Sequence, residues 1–292
     1  MIAGLPLPAA IALAVVVGLC VGSFLNVVIH RLPRMLERGW REQCAELDGG
    51  TAPAQPAYNL VVPRSACPSC GHRIGAHENI PVVSWLALRG RCSQCKAAIS
   101  PRYPLVEIAG GALAALAVLK FGLTPTGMAA AVLLWALLAL TFIDFDTQLL
   151  PDDITLPLLW GGLLAQMLVP AFGLTDPSFV VPLPTAVIGA VAGYLSLWTI
   201  YWIFKLVRGK EGMGYGDFKL LAALGAWLGW PLLIPIVLVS SVVGAAVGIL
   251  LIVFRGRDHS IPLAFGPYLA IAGGIALFYG PQLLALERAF LR

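Results

Sequence analysis

LPLPAAIALAVVVGLCVGSFLNVVI, residues 5–29, contains no charged side chain. About 20 consecutive apolar residues are enough for an α-helix to cross a bilayer, so this stretch predicts a transmembrane helix. The run is too long for the apolar region of a secretory signal peptide, and no basic residue precedes it. We therefore expect it to be retained as the first span.

The composition of the whole chain agrees with a membrane protein. Of the 292 residues, 59% are hydrophobic and 12% are charged, and the mean hydropathy is +0.86. Soluble domains carry about 25% charged residues. The apolar runs are long and unbroken, which favours helices over a β-barrel. The expected class is an all-α polytopic integral membrane protein in contact with lipid, and an isoelectric point near 8.8 requires no nucleic-acid partner.

Further apolar runs divide the chain into spans and loops. The sixth run is short and is followed by Trp230-Pro231, so the sixth and seventh could form one kinked unit. The chain then comprises a first transmembrane helix (1–29), a hydrophilic loop domain (30–103) and a helical bundle (104–292). In all, about eight transmembrane helices are predicted, near residues 6–29, 104–123, 126–143, 154–173, 183–204, 217–230, 232–254 and 262–284.

The basic residues predict the orientation of these spans. More than half of the 19 Lys and Arg residues lie in the 30–103 loop. With eight spans, loops 144–153, 205–216 and 255–261 lie on the same side. Because cytoplasmic loops are enriched in Lys and Arg, this side is predicted to be cytoplasmic and both termini external. The same-side loops add Lys205, Arg208, Lys210, Arg255 and Arg257, against Lys120, Arg288 and Arg292 on the other side.

Two cysteine pairs stand in the large loop, in CPSCGHRI (67–74) and CSQCKAAI (92–99). Each C-x2-C unit can present two thiolates from one tight turn, and four thiolates at tetrahedral geometry suit Zn²⁺. Gly71 and Lys96 stand where a zinc ribbon turns. The sequence therefore predicts a zinc-ribbon-like loop with a structural metal, whose ligands are Cys67, Cys70, Cys92 and Cys95.

Other interpretations of these cysteines are two disulfides or a redox pair. A reducing cytoplasm disfavours disulfides. Iron could replace zinc at such a site. His72 and His77 are expected to be surface residues rather than further ligands, because four cysteines already complete the set.

Carboxylates gather at the predicted cytoplasmic membrane edge. Asp144 lies in TFIDFDTQLLPDDITLP (141–157), and Asp217 lies in GMGYGDFKLL (212–221). Two such groups on neighbouring helices could share one proton, so that one activates water and the other protonates the leaving amine, which is aspartic-protease chemistry. The nearby glycines, Gly214 and Gly216 among them, are expected to adopt conformations closed to other residues and to let a peptide approach.

Each carboxylate also has a simpler interpretation. Asp217 could only cap a helix, and so could Asp152 and Asp153. Asp146 competes with Asp144 for the catalytic role. Glu107, inside the second predicted span, could be a buried polar contact or a site residue.

The combination of these features resembles the bacterial type IV prepilin peptidases, the bifunctional leader peptidase/N-methyltransferases among them. The resemblance runs through most of the chain. The matching stretches are GSFLNVVIHRLP (22–33), YNLVVPRSACPSCGH (58–72), ENIPVVSWLALRGRC (78–92), RYPLVEI (102–108), IDFDTQLLPD (143–152), EGMGYGDFKLLAALGAW (211–227) and PLAFGPYLAIAG (262–273).

This resemblance implies a membrane aspartic protease of the GxGD type, with Asp144 and Asp217 as the catalytic pair. It implies cleavage of the basic leader from type IV prepilins and type II secretion pseudopilins at the cytoplasmic face of the bacterial inner membrane. It also implies methylation of the new N-terminal residue, usually Phe, with S-adenosylmethionine. No glycine-rich turn that would bind this methyl donor is visible in the sequence.

Two alternatives remain open on the sequence alone. One is a peptidase without methyltransferase activity. The other is a transporter or an assembly scaffold with a zinc-clamped loop, although a transporter would place its ionisable groups near the middle of the bilayer.

Overall fold

The computed structural model describes residues 5–49, 56–171, 173, 179–210, 212–255 and 264–290. Arg257 and Arg292, which contribute to the predicted orientation, lie outside these ranges, as does the start of the last predicted helix. The described residues form nine α-helices, namely α1 (Leu7–Leu47), α2 (Val83–Ala87), α3 (Arg102–Phe121), α4 (Pro125–Thr147), α5 (Asp152–Ala171), α6 (Leu183–Arg208), α7 (Tyr215–Leu228), α8 (Leu233–Arg255) and α9 (Gly266–Phe290).

Seven helices in the described ranges are long and apolar enough to cross a membrane, namely α1, α3, α4, α5, α6, α8 and α9. The predicted sixth span is present as α7, but it has only 14 residues. At 1.5 Å per residue it measures about 21 Å, less than the ~30 Å hydrocarbon core. The predicted all-helical, multi-pass membrane fold is confirmed. The sixth and seventh predicted helices are separate and are joined by a 3₁₀ turn at Trp230–Leu232.

The chain forms two compact units, residues 1–124 and 125–292. In the first unit, α1 and α3 run antiparallel and in close contact. Gly18 lies against the carbonyl of Gly110, and the Asn26 side chain donates to the Tyr103 carbonyl at 3.0 Å. Small residues at such contacts let two membrane helices approach closely. The boundary falls after α3, so the first unit includes a helix that the sequence assigned to the bundle.

The first helix does not end at the membrane edge. We predicted a loop from residue 30, but α1 continues to Leu47. Arg31 is buried and donates to the carbonyls of Asn59 at 2.9 Å and Pro63 at 2.6 Å. The first charged residues thus mark the end of the apolar span and not the end of the helix. Arg31 binds the returning chain to the part of α1 that extends beyond the apolar span.

In the second unit, α7 is the central helix. Its side chains from Asp217 to Leu228 are buried, except that of Lys219, which is half-buried. It lies beside α5, α6 and α9. A helix that is apolar on every face lies in a protein core or spans a membrane. Because neighbouring helices cover α7, its length need not match the thickness of the bilayer.

Paired contacts give the direction of α7. Near its start, Lys219 pairs with Asp152 at the start of α5, at 2.6 Å. Near its end, the Trp227 carbonyl accepts from the Gln166 amide at 2.6 Å. Because Gln166 lies toward the end of α5, the helices α5 and α7 run parallel. Tyr215 contacts Tyr201 near the end of α6, with ring centroids 5.2 Å apart, so α6 runs the opposite way.

Candidate active site and metal centre

Asp144 and Asp217 lie on different helices of the second unit and face a common region. Asp144 is close to the end of α4 and is 4% exposed, and Asp217 is in the first turn of α7 and is 7% exposed. The two carboxyl groups are near enough to interact electrostatically. Asp146, the competitor of Asp144, is exposed. Burial therefore separates the two candidates on α4 and favours Asp144.

Asp217 also binds the start of its own helix. Its carboxylate accepts from the backbone amide of Gly214, the N-cap residue of α7. An acidic third residue that reaches back to the N-cap amide is half of a capping box. Asp217 is therefore not the N-cap residue itself, but its bond to the Gly214 amide holds one side of the carboxyl group and leaves the other side available.

One oxygen of each aspartate has no hydrogen bond. Asp144 Oδ2 and Asp217 Oδ1 are buried and lack a partner among the described residues. An unsatisfied buried polar atom costs about 1–3 kcal/mol, and more when it is charged. Both oxygens are thus free to bind a proton or a water molecule.

Gly266, the first residue of α9, is a site residue that the sequence analysis did not single out. Its backbone amide binds the Asp144 carboxylate. A Cβ built at this position would lie 2.6 Å from Asp144 Oδ2 and 3.0 Å from Leu150 Cδ1. The glycine therefore lets α9 begin directly against the aspartate. The available signal was the FGP triplet, a glycine-proline step at a predicted helix start.

The glycines before Asp217 act by packing and not by backbone conformation. We expected conformations closed to other residues, but neither Gly214 nor Gly216 has a positive φ. A Cβ at Gly216 would lie 2.6 Å from Leu150 Cβ, whereas one at Gly214 would meet no atom nearer than Asp217 Oδ2 at 3.8 Å. Gly216 is needed for close packing of α7 on the α4–α5 connection, and Gly214 meets no such restriction.

Asp152 does not belong to the aspartate pair. It begins α5, and both of its carboxylate oxygens accept from Lys219, at 2.6 and 2.7 Å. It joins α5 to α7 close to the two buried carboxyl groups. Its role is therefore an inter-helix ion pair and not the predicted cap.

The four loop cysteines come together in the first unit. The Sγ atoms of Cys67, Cys70, Cys92 and Cys95 all lie within 4.8 Å of one another. The Cys67–Cys95 separation is 3.7 Å and the Cys70–Cys92 separation is 4.0 Å. Four sulfurs bound at about 2.3 Å around a tetrahedral Zn²⁺ are about 3.8 Å apart. The four cysteines are thus close enough to bind a metal.

Local backbone structure supports this cluster. Each C-x2-C unit is followed by a residue with positive φ, Gly71 at 72° and Lys96 at 59°. Backbone amides of Ser69 and Cys70 lower the pKa of Cys67 to about 6. Amides that bind sulfur favour the thiolate, which is the form that binds metal. The two turns are equivalent in structure, as their sequences predicted.

The histidine at position 72 is outside the metal cluster. His72 Nε2 lies 3.1 Å from Glu78 Oε2, and the described metal-binding group contains only cysteines. The Ser93 side chain, the Gly75 amide and His72 together lower the pKa of Glu78 to about 2. His72 therefore joins this hydrogen-bond network instead of supplying a fifth ligand.

Comparisons with known proteins cover most of the chain. A family model for the bacterial peptidase A24 N-terminal domain matches residues 16–121, and the model of the type IV leader peptidase family matches residues 131–249.

Similar curated proteins are each named prepilin leader peptidase/N-methyltransferase. The one from Stutzerimonas stutzeri is 54% identical over 96% of this chain and 94% of its own. The one from Pseudomonas aeruginosa is 55% identical over 92% and 90%. The one from Aeromonas hydrophila is 56% identical over 91% and 89%. No solved structure matches the chain.

Proposed function

Because the chain belongs to the type IV leader peptidase family, we propose that it is a prepilin leader peptidase/N-methyltransferase in which Asp144 and Asp217 cleave the peptide bond. The observation that carries the catalytic assignment is the pair of buried, interacting carboxyl groups with one unpartnered oxygen each. The two matched family models also divide the chain much as its two compact units do.

The proposed cleavage uses the two aspartates in complementary roles. One carboxylate takes a proton from a water molecule, which attacks the scissile carbonyl carbon. The other carboxyl group donates a proton to the leaving amine as the C–N bond breaks. The Gly266 and Gly214 amides orient the two side chains, so that neither needs to reorganise during the reaction.

The substrates follow from the position of the site. We place both aspartates at the cytoplasmic edge of the inner membrane, where the basic leader of a type IV prepilin or a pseudopilin meets its apolar helix. The substrate helix lies in the bilayer, which restricts its position before reaction and lowers the entropic cost of alignment. The methyl donor is S-adenosylmethionine, and the four cysteines hold a structural zinc ion that leaves no open coordination position.

Mass spectrometry of a prepilin incubated with purified protein and S-adenosylmethionine tests this proposal. We expect Asp144→Asn and Asp217→Asn each to lower the cleavage rate at least ~100-fold. Asp146→Asn, which removes a neighbouring exposed carboxylate from the same helix, serves as the matched control and should cleave normally. A wild-type product heavier by one methyl group would establish the second activity. Normal cleavage by Asp217→Asn would refute the aspartate pair.

A further inference from the structure

Leu150 lies in the short connection between α4 and α5, a few residues after Asp144 in the chain. Its side chain is half-buried and has no group that could take part in the cleavage chemistry. It nevertheless contacts the segments that hold both aspartates. The two ends of this one side chain touch different helices, and its role follows from what each end touches.

The backbone end of the Leu150 side chain lies against the start of α7. A Cβ at Gly216 would lie 2.6 Å from Leu150 Cβ and 3.3 Å from its Cδ1. Gly216 directly precedes Asp217 in the first turn of this helix. Leu150 is therefore packed on the turn that carries one of the two buried carboxyl groups.

The methyl end of the same side chain lies against the start of α9. A Cβ at Gly266 would lie 3.0 Å from Leu150 Cδ1 and 3.1 Å from Cδ2, and also 2.6 Å from Asp144 Oδ2. The Gly266 amide binds the Asp144 carboxylate. The Leu150 methyl groups and the Asp144 carboxyl group thus share one glycine as a neighbour.

The connection that carries Leu150 is fixed on both sides. Before it, Gln148 has a φ of 55°, and its amide donates to the Asp144 carbonyl at 2.9 Å. A positive φ is uncommon for a residue other than glycine, and it turns the chain out of the helix. After it, Asp152 binds Lys219 of α7 at 2.6 and 2.7 Å. These two attachments restrict where Leu150 can lie.

We infer that Leu150 is a positioning residue for the cleavage reaction, because its side chain separates the start of α7 from the start of α9 and so sets the distance between the two carboxyl groups. The inference rests on the proposed function, which gives these groups complementary roles. Packed side chains transmit a change of volume to their neighbours. A displacement of about 1 Å at a reacting group lowers a rate by about 100-fold.

The same two helices contain a matched control. Leu224 of α7 is fully buried, and a Cβ at Gly273 of α9 would lie against both of its methyl groups. Leu224 stands two turns beyond Asp217, about 10 Å along the helix axis. It therefore makes the same kind of contact as Leu150, a leucine against a glycine of α9, but away from the carboxyl groups.

Replacing each leucine by valine tests the inference. Valine keeps the Cβ but draws the methyl groups back from α9, and it suits the extended backbone expected before Pro151. We expect Leu150→Val to lower kcat for prepilin cleavage about 10-fold or more with KM unchanged, since a positioning residue acts on the reacting groups and not on substrate binding. Leu224→Val should keep the wild-type kcat although it removes a more deeply buried contact.

A conservative variant and thermal unfolding exclude a folding defect. Leu150→Met keeps the volume and the reach of the side chain, so its kcat should stay near that of the wild type. Leu150→Val should unfold at a temperature no lower than Leu224→Val does, because its site is less buried. A greater loss of kcat at the less destabilised position is the result that a purely structural role does not produce.

Three results would overturn the inference: equal kcat values in Leu150→Val and Leu224→Val, a raised KM with unchanged kcat in Leu150→Val, or a loss in Leu150→Met as large as in Leu150→Val. Asp217→Asn is measured beside them. Normal kcat in Leu150→Val with an inactive Asp217→Asn refutes the role of Leu150 alone. Normal cleavage by Asp217→Asn, or no cleavage by the wild type, refutes the proposed function and the inference with it.

Discussion

Gly266 packs directly against the Asp144 carboxyl group and donates its backbone amide to it. The glycine leaves no room for a Cβ, since that atom would lie 2.6 Å from Asp144 Oδ2. The Asp144 carboxyl group is at the tip of its side chain and can move aside at little cost in stability. It is, however, the proposed reacting group. At this position, activity and stability should therefore respond differently to the same substitution.

We expect Gly266→Ala to lower the cleavage rate by about 100-fold, because a displacement of about 1 Å at a reacting group has effects of that size. Gly274→Ala is the matched control on the same helix, since its Cβ would make an ordinary 3.7 Å contact with Leu134 Cδ2. Its cleavage rate should equal that of the wild type. Steady-state cleavage and thermal unfolding of both variants test this, and equal rates in the two variants would contradict it.

A second prediction separates the two glycines of the GYGD stretch. Gly216→Ala should impair folding or cleavage, because its Cβ would lie 2.6 Å from Leu150 Cβ, an atom fixed to the backbone. Gly214→Ala should fold and cleave nearly normally, since its φ of −80° and ψ of 150° suit alanine. Expression, unfolding temperature and cleavage of the two variants are compared. If Gly214→Ala were the more damaging change, packing would not explain the motif.

Residues with strong chemistry could be predicted from the sequence, and residues that act through shape could not. Asp144 and Asp217 are conspicuous because carboxylates within apolar helical segments are rare, and the cysteine pairs have a spacing typical of metal sites. Gly266 acts through the absence of a side chain, and this only becomes visible when its neighbours are known. Glu107 was noticed, but its bond to the Val82 amide depended on the three-dimensional structure.

At the scale of single elements, the cysteine-containing loop has too little secondary structure to be stable by itself. Its described part contains one 3₁₀ turn, the short helix α2 and two isolated β-bridges, Ala66–Arg73 and Arg91–Ala98. Few apolar side chains in it are buried. Binding of a structural zinc ion supplies about 10–16 kcal/mol in small zinc-finger peptides. The metal is thus expected to provide most of the stability of this loop.

The corresponding prediction concerns metal removal. Purified protein should contain one zinc ion per chain, and Cys92→Ser should lose it and become sensitive to proteolysis between residues 64 and 100. Cys44→Ser is the control, because Cys44 is outside the cluster. Cleavage of a prepilin should persist in Cys92→Ser, since the aspartates lie in the other unit. Metal analysis and limited proteolysis test this, and full zinc content in Cys92→Ser would refute the four-cysteine site.

Helix positions were predicted well because each apolar run is long. The lengths of α1 and α7 could not be predicted. The sequence pattern marks where the chain leaves the lipid, so it missed the continuation of α1 to Leu47 in an aqueous environment. It also suggested a span at residues 217–230 without showing that α7 is enclosed by other helices. Both differences arise from packing against distant parts of the chain, which hydropathy does not report.

At the scale of the whole molecule, the question is whether α7 counts as a membrane crossing. Within the second unit, α7 starts beside the end of α6 and the start of α5. It ends where Gly225 is packed on Gly189, close to the beginning of α6. With 14 residues against the 26 of α6, it therefore runs along about half the length of α6. Enclosure by protein removes the need to match the thickness of the lipid.

The direction of α8 and α9 follows from similar contacts. Gly280 on α9 lies against Leu232, the residue just before α8. Gly244 on α8 lies against Tyr268, near the start of α9. The two helices are thus antiparallel. Because α9 begins at Asp144, α8 runs toward the level of the aspartates and continues beyond it to Arg255, as it must if α7 has carried the chain to the opposite side. The second unit then contributes six crossings.

An even number of crossings puts both termini on the same side of the membrane, and the basic loops predict that this side is external. Reporter fusions can test this. Alkaline phosphatase, which is active only outside the cytoplasm, should be active when fused after Arg292 and inactive when fused after Lys210. A fluorescent protein that matures only in the cytoplasm should show the reverse. If α7 did not cross, the chain would have seven crossings and the fusion after Arg292 would be fluorescent and lack phosphatase activity. In that case the aspartates and the basic loops could not all face the cytoplasm through the contacts described, and the proposed site of cleavage would have to be revised.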